Sequence, residues 1–157
     1  MAIILRLLLC AAVRYLPLKK IYYFIHLCTH FYGEAKHSAS IAVSKDMNLI
    51  KLCDMREFFL KYIDKNDYGS IVDFVSKHNL KESLYFSLAC LKDIYSDGYE
   101  TELLSYLEIT DISFMNKYGE STKELLNEFS SSLLERIFSC GNEKELESKP
   151  KLISFQK

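Results

Sequence analysis

The stretch "HLCTHFYGE", residues 26–34, carries the side chains best suited to chemistry. His26, His30 and Glu34 recur at i, i+4 and i+8, so one continuous helix presents all three on a single face. Two imidazoles and a carboxylate are a ligand set for zinc that leaves a fourth position open to water. Three features weigh against that chemistry. Position 27 is Leu, where an HExxH hydrolase has its glutamate base. Gly33 is placed to end the helix before Glu34 is reached. Cys28 and His37 are the substitute donors, yet Cys28 points about 160° away from His26 on a helix. The sequence therefore assigns no catalytic residue, no metal ligand and no cofactor.

Other reaction signatures are missing too. There is no GxSxG, no P-loop and no GxGxxG. The carboxylates Glu100/Glu102 and Glu143/Glu145/Glu147 read as solvated faces. The five cysteines (Cys10, Cys28, Cys53, Cys90, Cys140) are odd in number and form no CxxC pair. They read as reduced, mostly buried thiols. With no Asn-x-Ser/Thr acceptor in the chain, the compartment expected is intracellular, in first place the cytoplasm. A non-enzymatic chain is the expectation.

The elements follow from apolar spacing of three and four. At 157 residues the chain suits one ordinary domain. Residues 47–65 form an amphipathic helix, with Leu49, Leu52, Cys53, Met55, Phe59, Leu60 and Ile63 on one broad stripe and Lys51, Asp54, Arg56, Glu57 and Lys61 mostly opposite. Asn66–Gly69 breaks it, and "SIVDFVSKH" forms a shorter helix capped by Asp67 or Ser70 and ended by Asn79. Residues 81–95 bury Leu84, Leu88, Leu91 and Tyr95, and are the expected central helix, where small Ala89 and Cys90 admit a close neighbour. "ETELLSYLEI" is a short helix, and a further turn or two follows Thr110–Asp111. Ser121 and Glu124 make a capping box that opens a helix over 122–138. No strand of matching strength is seen.

The first 33 residues contain Arg6, Arg14, Lys19 and Lys20 and no acid. Residues 1–46 carry +4 and residues 47–157 carry −5. The acidic part is unsuited to nucleic acid, whose phosphates need a basic face. The basic part reads first as two core or interface helices, 2–16 and 18–31, hinged at Pro17. An organelle leader and a membrane-surface helix are the alternatives, giving mitochondrial or membrane-peripheral placement. A membrane span is excluded there, because only seven apolar residues separate Arg6 from Arg14. Met47 opens the first well-formed amphipathic helix, so a start there is a further reading, testable by mass. Aromatics beside cations suit a protein interface or a lipid headgroup layer. Arg6, Arg14, Lys19, Lys20, Tyr22 and Tyr23 are the interface candidates.

Residues 81–100, "KESLYFSLACLKDIYSDGYE", resemble the central helix and following Gly-containing corner of the apoptosis-regulator fold used by poxviral immune modulators. That resemblance implies an all-α bundle that binds host proteins through a hydrophobic groove or a helix-face dimer. It covers about twenty residues. The family's Trp-Gly or Asn-Trp-Gly-Arg corner is absent, so no site residue is carried over.

The expectation is an all-α, compact bundle or short helical array of five to seven helices. It comprises a basic segment 1–46, an amphipathic helical domain 47–141 and a disordered, charged tail 142–157. It would work by contact with one or more protein partners, as a scaffold or as a subunit or regulator of a larger assembly.

Overall fold

The computed structural model describes residues 17–43, 45–119 and 127–138. Among them are seven α-helices, two 3-10 turns and one two-stranded ribbon, so the all-α expectation holds. The capping box at Ser121/Glu124, the N-terminal helix over 2–16 and the tail 142–157 lie outside the described residues.

Helix α1 is described over Pro17–Lys36. Gly33 does not end it, contrary to the sequence expectation. Within a helix anchored on both sides, one glycine costs only about 1 kcal/mol. Anchors at a helical period are plentiful: Phe24, Cys28, Phe31 and Ala35 are fully enclosed. A short α2, Ser38–Ala42, and an irregular stretch follow. Helix α3, Leu49–Tyr62, is capped by the Asn48 side chain, which accepts from the Ile50 N–H at 2.9 Å. A 3-10 turn at Lys65–Asp67 has a reciprocal cap between Asp64 and Asp67. Helix α4, Tyr68–Lys77, begins at once and ends where Asn79 adopts φ 56°.

Helix α5, Lys81–Tyr95, has the expected bounds. Leu84, Phe86, Leu88, Cys90 and Leu91 are buried in it, whereas Tyr95 is only half-buried. It packs along α1, so two helices share the centre. Cys90 is fully enclosed, and a close approach to α1 is marked at Ser87, whose one hydroxyl proton is shared between the Cys28 carbonyl at 3.1 Å and the Ser83 carbonyl at 2.9 Å. Helix α5 stops at Ser96, φ 53°, and helix α6, Thr101–Tyr106, follows the corner.

The helix expected over 122–138 is not formed across its described part. Residues Asn127–Glu128 are strand β2, paired antiparallel with β1, Lys117–Tyr118, after the 3-10 turn Ser113–Asn116. Helix α7 spans only Leu133–Phe138. Its start is fixed by a capping box at Ser132 and Glu135: the Ser132 N–H donates to Glu135 and the Glu135 N–H to the Ser132 hydroxyl. The ribbon closes a small second core in which Tyr118 and Phe129 stack at 4.3 Å beside Ile41. Arg136 ties α7 to the rest. Its guanidinium covers the Phe129 ring, donates to the Ala35 carbonyl at 3.1 Å and lies 3.6 Å from Asp46. Among the described residues, no helix is long and apolar enough to cross a membrane.

A candidate interaction face on helix α3

Helix α3 has more apolar surface than the core covers. At 100° per residue, Leu52, Met55, Phe59 and Ile63 fall in one arc, and all four are buried. Leu49, Cys53 and Leu60 fall within about 40° of one another beside that arc. They stay outside, with Leu49 40% and Leu60 47% exposed. The single stripe expected from the sequence is thus divided into a core half and a solvent half.

Arg56 lies where the halves meet, and it is buried rather than solvated. It donates to Glu100 and to Asp97, which lie at the α5–α6 corner. Its guanidinium is 4.9 Å from the Tyr95 ring centroid and 5.0 Å from that of Tyr99. The Tyr95 hydroxyl donates to Cys53 Sγ at 3.5 Å. That hydrogen bond, with burial, pushes the Tyr95 phenol up to about 12. Glu100 is fully buried, which corrects its reading as a solvated carboxylate. Its second oxygen, Oε2, has no hydrogen-bond partner among the described residues. Tyr99 remains 60% exposed.

Cys53, Tyr95, Tyr99 and the desolvated Arg56 thus form one contact network beside the exposed strip that carries Leu49 and Leu60. Tyrosine and arginine held rigid at the edge of an apolar strip are the residue types that dominate protein interfaces. One signal in the sequence could have found Arg56. On the helical projection it lies between Ile63 and Leu49, inside the apolar stripe.

A second concavity, of about 420 Å³, opens between α1 and the 3-10 turn before β1. Lys36, Tyr32, Glu82, Asp111, Ser113 and Lys117 are among its polar lining residues. Lys36 Nζ donates to the carbonyls of Phe114, Met115 and Lys117. It also sits 5.3 and 4.9 Å from the Tyr32 and Phe86 rings. Burial, and then Arg136 nearby, lower its pKa to about 7. An ammonium has three N–H donors, and all three have acceptors here. Lys36 therefore fastens β1 to α1 and offers no donor to a ligand.

The residues singled out from the sequence are scattered. Arg6 and Arg14 lie outside the described residues, and Lys19 is in the backbone of α1. Lys20 pairs with Asp67 at 2.6 Å and Asp64 at 3.6 Å. Tyr22 is exposed, edge-on to Phe74 at 4.8 Å, and Tyr23 packs on Phe58 at 4.9 Å. His26 and His30 lie on the solvent face of α1 with ring centroids 6.1 Å apart. Glu34 Oε1 is 3.7 Å from His30 Nδ1, and its other oxygen accepts from Lys51. Among the described residues, no three His, Cys, Asp or Glu side chains enclose a metal position.

No family model, no curated protein and no solved structure matches this chain. The likeness to the apoptosis-regulator fold therefore rests on residues 81–100 alone.

Proposed function

We propose that this chain is a non-enzymatic helical interaction module, a subunit or regulator of a larger assembly. Its docking face is the outer edge of α3 together with Tyr95 and Tyr99. The observation that carries this reading is the division of the α3 stripe. Leu49 and Leu60 remain in water while Arg56, next to them, is stacked and paired inside. An apolar partner surface covering that strip would remove it from water. Tyr99 and Leu60 would be the anchors, since a few aromatic and aliphatic side chains carry most of the energy of such contacts.

The test is quantitative recovery of proteins bound to the full-length chain from native lysate. Wild type is compared with Leu60→Glu, Tyr99→Ala and a distant surface control, Ile112→Glu. A partner retained by wild type and by the control, and lost from both face variants, supports the proposal. Equal recovery by all four proteins removes it.

A further inference from the structure

The histidines of α1 take no part in that reading. Helix α1 continues through Gly33 to Lys36, which restores the continuous i, i+4, i+8 row that an early stop would have broken. Both rings are exposed, and 6.1 Å separates their centroids. A metal–nitrogen bond of about 2.0–2.1 Å plus about 1.1 Å from nitrogen to ring centre puts each centroid about 3.2 Å from a shared ion. Two rings on one ion can thus be at most about 6.4 Å apart, and about 5 Å apart at a tetrahedral angle. The observed separation is already inside that limit. Rotation of two exposed side chains, with no backbone shift, completes the closure.

Glu34 supplies the second observation. Its Oε1 faces Nδ1 of His30 at 3.7 Å, the ring nitrogen nearer the backbone, and the outer nitrogen, Nε2, is left for coordination. At 3.7 Å the two are not yet hydrogen-bonded, and rotation of the exposed His30 ring would let Glu34 accept from Nδ1–H, the bond by which a carboxylate orients a metal-bound histidine and raises its basicity. Lys51, which pairs with the other oxygen of Glu34, holds that carboxylate in place.

We infer that His26 and His30 form an open two-imidazole chelate for a late first-row divalent transition metal, with Glu34 as the orienting carboxylate. Imidazole suits nickel, copper and zinc, whereas calcium and magnesium require oxygen donors. Two protein ligands leave the other positions to water or to a donor on a bound partner.

The test is titration of the full-length protein with Ni²⁺ alone. Calorimetry and native mass spectrometry give affinity and stoichiometry, and amide line broadening by the paramagnetic ion gives the location. Four variants accompany wild type: His26→Ala, His30→Ala, Glu34→Gln and Cys53→Ser. All alter groups in contact with solvent, and circular dichroism checks that each is folded. The expected result is one Ni²⁺ whose broadening centres on α1. Its dissociation constant should weaken at least tenfold in either histidine variant and by a smaller factor in Glu34→Gln, with Cys53→Ser unchanged. Affinity unaltered by His26→Ala or His30→Ala, or lost in Cys53→Ser, overturns the inference.

Discussion

Arg56 and Glu100, 44 positions apart, form an ion pair whose side chains are 4% and 0% exposed. The pair joins α3 to the corner after α5, where the Tyr95 and Tyr99 ring centroids lie 4.9 and 5.0 Å from the guanidinium. Removing one member leaves the other charge in a low-dielectric setting, at a cost of about 3–5 kcal/mol. Glu100→Leu should therefore lower stability by that order in urea unfolding, although Asp97 still contacts Arg56. The double variant Arg56→Met/Glu100→Leu should lose far less than the sum of the single changes, because no orphaned charge remains. Additive losses would show that the two residues act separately.

The division of the α3 stripe sets two leucines in contrast. Leu88 is fully buried in the main core, so Leu88→Ala should cost about 2–5 kcal/mol through lost transfer energy and the cavity left. Leu60→Ala should change stability by no more than about 0.5 kcal/mol, as surface substitutions do. Similar costs at the two sites in denaturant titrations would mean that the strip is not a free surface.

Lys36 makes stability depend on pH in a definite direction. Its pKa falls from the ordinary 10.5 to about 7 on folding. Between those values the unfolded chain holds a proton that the folded chain has released. Stability from this group therefore rises with pH across that window and is lost as pH falls back to about 7. Burial acts oppositely on the thiols, pushing Cys28 up to about 12 and Cys90 up as well. Above about 9, the ordinary thiol value, the unfolded chain loses those protons first and stability declines. A rise and then a fall on the alkaline side is expected for wild type, and Lys36→Met should abolish the rise. A wild-type denaturation midpoint that does not move as pH increases from about 7 to about 9 would contradict this.

Thiol reactivity should sort by burial. Cys53 is exposed, whereas Cys28 and Cys90 are enclosed with raised pKa values, and only a thiolate reacts readily. Alkylation at neutral pH followed by peptide mapping should label Cys53 in the native protein. Cys28 and Cys90 should be labelled only after denaturant is added. Rapid native labelling of either would mean that the α1–α5 contact opens easily.

Much of the helical layout was legible because helices are written locally. The period of Leu84, Leu88 and Leu91 and the Asn79 stop each depend on neighbours a few positions apart; the break expected at Asn66–Gly69 comes earlier, at Ile63–Asp64, and Tyr68 and Gly69 already belong to α4. The turn after Asp111 is present as the 3-10 turn Ser113–Asn116, but the helix expected over 122–138 was misread for the opposite reason. The apolar residues of 122–138 match a helical period, yet Phe129 finds its partner in Tyr118 across a ribbon. Pairing with a distant strand overrides a local preference of only tenths of a kcal/mol per residue.

The candidate face divides the same way. The sequence by itself determined a helix with one apolar side within residues 47–65, formed over Leu49–Tyr62, because side-chain direction repeats with the helix period. Arg56 reads among the residues mostly opposite that side, although the helical projection puts it at the margin, and it is buried. Only the tertiary structure decided how much of the stripe would be covered. Coverage depends on the placing of α1 and α5, and on two acids about forty positions away that meet Arg56. A buried charge is stable only beside its counter-charge, and that encounter is fixed by the path of the whole chain.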